Sequence, residues 1–186
     1  RKGILFVRRF LLVLNAACGL KLTLSADDAM PPQLSDPSLE VSLYAQEPLI
    51  QTPIGCAIDP NGRLLVIESQ THFRPKDWTG PSHDQIVALI DTDGDGKADK
   101  REVFLDETNL TMDIAAGPDG WMYVSTRNEI LRARDDDGDG RAEKVERKLV
   151  WLESDEVYPH NGISGLAFDG KGNLYFGKGE NLGAAY

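Results

Sequence analysis

CAIDPNGRLLVIES, residues 56–69, returns as IAAGPDGWMYVSTR at 114–127 and as LAFDGKGNLYFGKG at 166–179. Each copy is an apolar run, a tight turn built on Gly62, Gly120 or Gly172, and a second run in which hydrophobic and polar residues alternate. That is the period-two signature of a β-hairpin. Between the copies stands a second phrase, IVALIDTDGDGKADKREVFL (86–105) and then ILRARDDDGDGRAEKVERKLV (130–150), whose alternating runs flank an Asp- and Gly-rich connection. No capped segment shows the 3.6-residue period of an amphipathic helix. Two hairpins in each unit of roughly 50 residues predict an all-β chain of propeller blades, with a two-layer sandwich as the competing architecture. Residues 38–186 supply about three four-stranded blades, the last without its outer hairpin. Closed propellers have roughly four to eight blades, so this reads as a partial β-propeller whose edges need further blades or another chain.

The chain has 186 residues, 41% hydrophobic, with 20 Lys+Arg against 30 Asp+Glu. Its formal charge of −10 argues against a nucleic-acid partner, which requires a basic face. Residues 1–26 carry Arg1, Lys2, Arg8, Arg9 and Lys21 and no acid. With the apolar run Phe10–Leu14 and the small residues before Asp27, they read as a signal peptide, or as an uncleaved N-terminal anchor. Residues 27–37 form a linker, and the expected location is exported: periplasmic or cell-surface, with membrane association through the N-terminus as the alternative. Asn15 does not suit a lipobox at Cys18, and neither cysteine lies in a zinc or haem-attachment pattern. Cys56 is then expected to be a small buried hydrophobe. Because the chain opens on Arg and stops in mid-pattern, it reads as a piece of a longer protein.

The two acidic connections match the twelve-residue calcium loop. Asp91, Asp93, Asp95, Asp99 and Glu102 supply oxygens at positions 1, 3, 5, 9 and 12, Gly96 the sharp turn, and Lys97 a backbone carbonyl. Asp135, Asp137, Asp139, Glu143 and Glu146, with Gly140 and the Arg141 carbonyl, repeat the set. Calcium takes six to eight hard oxygens, and carboxylates this crowded repel one another unless a cation neutralises them. The flanking segments are expected to be strands, so binding would clamp hairpins rather than open a groove. The alternative is a polar turn in which Asp and Gly supply turn chemistry alone.

The loop ESQTHFRPKDWTGPSHD (68–84) and the stretch HNGISGLAFDGKGNLYFGKGENLGAAY (160–186) resemble the start of a bacterial family of membrane-bound dehydrogenases. The propeller of that family is related to quinoprotein glucose and sorbosone dehydrogenases, often with a haem-binding region downstream. The resemblance implies a pyrroloquinoline quinone cofactor beside calcium, a sugar or polyol substrate, and a haem domain as electron acceptor. It makes His160 the general base that takes the hydroxyl proton as hydride passes to the quinone. It also makes Asn161, Lys178, Glu180 and Asn181 cofactor contacts, although Lys178 stands where that family carries Asp. A neutral imidazole suits the task at neutral pH.

Glu68, His72, His83 and Asp84 are further candidates for substrate or metal, because the loop between their strands is too long for an ordinary hairpin. The competing reading is an Ω-like loop packed by Phe73 and Trp78 on the propeller face. Trp121, Tyr123, Tyr175 and Phe176 fall at strand positions as blade packing. Two other functions compete with the dehydrogenase: a non-catalytic calcium-stabilised propeller binding glycans or proteins, and a calcium-dependent lactonase-like hydrolase.

Overall fold

Alternation along the strands decides which faces are buried. In Leu64–Glu68, Leu65 and Ile67 point to one side and Leu64 and Val66 to the other; in Asp84–Ile90 the same division separates Ile86 and Ala88 from Val87 and Leu89. Both faces carry branched aliphatics, so both must be covered, and each fully buried side chain of this kind contributes about 1.5–3 kcal/mol. A sheet greasy on both sides is a middle layer.

The computed structural model describes residues 3–9, 33–71, 76–153 and 162–179. It is all-β among those residues, with twelve strands: β1 (Gly3–Arg9), β2 (Leu39–Gln46), β3 (Pro53–Ile58), β4 (Leu64–Glu68), β5 (Asp84–Ile90), β6 (Lys100–Thr108), β7 (Thr111–Ala116), β8 (Met122–Thr126), β9 (Glu129–Arg134), β10 (Lys144–Trp151), β11 (Ile163–Phe168) and β12 (Leu174–Lys178). Two antiparallel four-stranded meanders, β3-β4-β5-β6 and β7-β8-β9-β10, are followed by the hairpin β11-β12. The first strands β3, β7 and β11 are neighbours in that order, as the innermost strands of successive propeller blades must be.

The cores lie between the blades. Leu65, Ile67, Ile86, Phe104 and Leu105 of blade 1 meet Ile114, Met122, Val124 and Leu131 of blade 2. Ile130 of blade 2 meets Ile163 and Leu166 of blade 3, and the Tyr123 ring stands edge-on to Phe168 at 4.9 Å. Each blade also opens with the same backbone bond. The Ser69, Arg127 and Gly179 amides donate to the carbonyls of Thr52, Leu110 and Gly162, at 3.1, 2.9 and 3.0 Å. Gly162 is required there, since a Cβ would come within 2.8 Å of the Arg127 carbonyl oxygen.

Two findings differ from the sequence reading. Gly3–Arg9 forms a strand, pairing antiparallel with β2, where no strand was expected. Cys56 is exposed rather than buried, because it shares with Ile54 and Ile58 the side of β3 that faces away from blade 2. No helix among the described residues is long and apolar enough to cross a membrane.

Candidate functional site

Strand order sorts the candidate residues to two ends of the blades. The turns β3–β4, β5–β6, β7–β8 and β9–β10 share one end, and both acidic connections lie there. The links β4–β5, β6–β7 and β8–β9 share the other, which holds the Glu68–Asp84 stretch and the start of β11.

At the first end, the second acidic turn brings together Asp135, Asp137, Asp139 and Glu143, with one oxygen of each within 4.8 Å of the others. The first turn brings together Asp91, Asp93 and Asp99 in the same way. Asp95 stands outside that group and accepts from the Lys97 amide at 2.8 Å, the same bond that the Arg141 amide makes to Asp139. Each leading carboxylate also organises its own turn. Asp91 accepts from the Gly94 and Gly96 amides at 2.7 and 2.8 Å, and Asp135 from Gly138 and Gly140 at 2.6 and 3.0 Å.

The Gly96 amide, with those of Gly94 and Asp95, holds the Asp91 carboxyl below the usual carboxylate range. Burial pushes Asp135 upward, but the Arg63 guanidinium and the Gly138 and Gly140 amides outweigh it and leave that carboxyl lowered as well. Arg63 comes from blade 1, donating to Asp135 at 2.8 Å and to Asp59 at 2.7 Å, so the second turn is fastened across the blade interface.

The position-12 glutamates do not join these groups. Glu102 lies in β6, paired with Lys100 at 2.6 Å and lying against Gly140 of the other turn. Glu146 lies in β10, bonded to Arg132 at 2.9 Å. In a helix-loop-helix site the following helix turns that residue back over the ion; here an extended strand carries it away. The gathered side-chain donors are carboxylate oxygens, a hard set that fits calcium and not a soft thiophilic metal.

At the other end, Asp84 is fully buried. Its Oδ1 accepts from the Gln70 and Thr71 amides at 2.6 and 2.7 Å, and its Oδ2 from the Thr111 amide at 2.8 Å. Glu68 accepts from the Gln51 amide and from Arg101, both at 2.8 Å. Both carboxylates thus act as brackets, joining the loop stem to the start of β7 and to the segment before β3. His83 Nδ1 lies 3.5 Å from Asn109 Nδ2. Trp78 is exposed: its indole N–H donates to the Pro81 carbonyl at 2.9 Å and its ring lies on Gly80 within the loop. Lys178 closes β12 opposite Ile163. His72, Phe73, His160, Asn161, Glu180 and Asn181 lie outside the described residues.

Sequence reasoning missed Arg63 and Asp113. The latter, on inner strand β7, accepts from the Leu166 amide of β11 at 2.7 Å. A cleft of about 360 Å³ lies instead between the ends of β9 and β10, lined by Asn128, Glu129, Arg147 and Trp151 and by none of the sequence candidates. Among the strand aromatics, Trp121 is buried between the Arg132 and Arg134 guanidinium groups, 4.4 and 4.6 Å from its ring, whereas Tyr175 and Phe176 are exposed.

The family described as Domain of unknown function (DUF7133) matches residues 26–185, which takes in every blade strand. The chain belongs to the DUF7133 family. No curated protein matches it. Among solved structures, this DUF7133 chain is similar to the holo form of the pyranose dehydrogenase PQQ domain from Coprinopsis cinerea, at 18% identity and a TM-score of 0.48. The likeness covers 66% of this chain and 26% of that one, so the chain spans about a quarter of that structure's length.

Proposed function

We propose that the chain is part of a calcium-binding β-propeller, with one cation held at the β5–β6 turn and one at the β9–β10 turn. The convergence of Asp135, Asp137, Asp139 and Glu143 carries this reading, and the three-carboxylate group at Asp91 repeats it. Calorimetric titration of the whole protein tests it. Two binding events at extracellular, millimolar calcium are expected, with Asp93→Ala abolishing only one. An absence of heat at millimolar calcium would sink the reading.

The catalytic reading is a quinoprotein-type sugar or polyol dehydrogenase. Its support is the sequence resemblance at 160–181, together with one topological fact. Gly162 and Lys178, described residues near the two ends of that stretch, stand at the end of the blades remote from the acidic turns. Structural cations and a reaction centre would then not compete for the same carboxylates. When bound, pyrroloquinoline quinone supplies the hydride acceptor. Lys178, a cation, suits the carboxylates of such a cofactor and does not suit calcium, which is what its replacement of Asp implies. His160 as a neutral imidazole accepts the hydroxyl proton, so the pH profile should rise through the imidazole range near 6.5.

Dye reduction by aldoses and polyols with saturating quinone and calcium should be abolished in His160→Ala. No turnover across a broad sugar panel would favour the glycan- or protein-binding module. Lactone cleavage without quinone would favour the hydrolase.

A further inference from the structure

Blades 1 and 2 each carry two extra residues on the outermost strand, and they place them differently. In blade 1 they are taken up singly: Val87 faces Val103, Ile86 faces Leu105, and Asp84 faces Thr108. In blade 2 both fall between the pairs Arg132–Glu146 and Ile130–Val150, so Arg147, Lys148 and Leu149 bulge out together opposite Leu131. Lys148 takes a left-handed φ of 57° there, as Glu107 does at 67° in blade 1. Glu129 holds the bulge in place. One of its oxygens pairs with the Arg147 guanidinium, and the other accepts from the Lys148 amide at 3.2 Å. Bulges re-aim side chains at sheet rims, and this one makes a wall of the 360 Å³ cleft.

Alternation shows which way the cleft faces. Thr126 follows Val124 by two residues on β8, and Glu129 precedes Leu131 by two on β9; Val124 and Leu131 are buried against blade 1. Trp151 is the cross-strand partner of Glu129 and shares that face. Val150 and Leu152, on the opposite face, pack with Ile163 and Leu166 of blade 3. Trp151 is therefore 55% exposed on the side of blade 2 that blade 1 covers, at the height of the links. A second hollow of about 220 Å³, reaching Asn109 and Leu110 of the β6–β7 link, shares Asn128, Glu129 and Arg147 with the first. The two form one groove in the seam between the blades. In blade 1, Glu68 and Gln85 hold the places of Thr126 and Glu129, and Arg101 bridges them at 2.8 and 3.1 Å. Blade 2 has Val145 where blade 1 has Arg101, and no such arm spans its seam.

We propose that this groove binds a neutral mono- or disaccharide. Its lining carries two acids, Glu129 and Glu153, and two bases, Arg147 and Lys148, so no net charge selects an ion. Trp151 offers an exposed ring to the C–H face of a pyranose. Beside it Glu129 accepts, while the Arg147 guanidinium and the Asn128 side-chain amide donate. Such an alternation matches vicinal hydroxyls, each of which gives and takes a hydrogen bond. The larger hollow falls within the roughly 300–1,000 Å³ of small-ligand sites. The groove lies on the outer strands of blade 2, away from the inner strands β3, β7 and β11. It is thus separate from the reaction centre proposed above, and the inference rests on neither the quinone nor the cations.

Tryptophan oxidation by N-bromosuccinimide in the whole protein, read by peptide mapping, tests it. Trp151 is expected to react readily and to be protected by a neutral disaccharide at millimolar concentration, drawn from a gluco-, galacto-, manno- and xylo- panel. Trp78, exposed on its own loop, should gain no protection from the same sugar. Trp151→Ala should weaken calorimetric binding of the protecting sugar about tenfold, whereas Trp151→Phe, which keeps a stacking face, should retain most of it. Unchanged affinity in Trp151→Ala overturns the proposal, as does oxidation of Trp151 that no disaccharide slows. Trp151 inert in the sugar-free protein overturns it in favour of a groove already filled by polypeptide. Tighter binding of uronic acids than of neutral sugars overturns it in favour of an anion site.

Discussion

The turns DTDGDGKAD (91–99) and DDDGDGRAE (135–143) are near copies, yet they close differently. In the first, the Thr92 hydroxyl donates to Asp99 at 2.8 Å, holding the ninth-position carboxylate against the second residue. In the second, the Asp136 side chain turns outward to Arg134 and Lys144 instead; the amide of the second residue holds the ninth carboxylate in both, Thr92 to Asp99 at 3.1 Å and Asp136 to Glu143 at 2.7 Å. Three acidic residues converge in one case and four in the other, and only the second is fastened by a guanidinium from the neighbouring blade. The local sequence specifies the turn. What charge stands beside the second group is decided across the blade interface, by Arg63.

Removing the shared anchor should produce the largest effect. Asp135→Ala deletes the acceptor of the Gly138 and Gly140 amides and of Arg63; it is expected to abolish calcium binding at the second turn and to cost about 2–3 kcal/mol in urea unfolding without calcium. Unchanged stability would mean that the turn holds itself. Arg63→Met comes next and moves two quantities in opposite directions. Stability without cation falls by about 1–2 kcal/mol, while calcium at the second turn tightens several-fold because a positive neighbour is gone. Weaker binding would show that Arg63 positions Asp135 rather than competing with the ion.

Thr92→Val addresses the first turn alone, with an expected loss of about 0.5–1.5 kcal/mol in calcium-free protein. An equal loss at saturating calcium would contradict a role for Asp99 as ligand. The smallest effect concerns the β11–β12 turn, which has no acidic cluster. The Asn173 side-chain amide, with the Asn173 and Lys171 backbone amides, holds the Asp169 carboxyl below the usual range. A lowered folded pKa stabilises fully above the ordinary aspartate value, and that contribution fades as pH falls through the lowered one. Asp169→Asn should therefore flatten the urea midpoint between pH 5 and 3, slightly, since the group is exposed.

The blade pattern was legible because alternation and turn glycines are local. Leu65 and Ile67 announce one face and Val66 the other, and Gly62 adopts the left-handed φ of 82° that its hairpin requires. Positions 1, 3 and 9 of both acidic groups were legible for the same reason, and position 5 in the second alone, since Asp95 stands outside its group. Position 12 was not, since where Glu102 and Glu146 go depends on whether a helix or a strand follows. Arg63 lies 72 residues from Asp135 in sequence, and no spacing rule joins them. The exposure of Cys56 was misread because an alternating strand buries either face only when something lies on it. Asp84 resembled a candidate ligand because three amide donors around a carboxylate appear only once the stems of two links have met.

That triple acceptance has an evolutionary side. With the Gln70, Thr71 and Thr111 amides fastened to one buried carboxylate, the residues on either side of the span from 72 to 82 are fixed posts. Such a span works as a cassette: lengthening it costs only loop-closure entropy, about 0.6 kcal/mol per doubling. New recognition surfaces could be grafted there while the blades beneath keep their alignment.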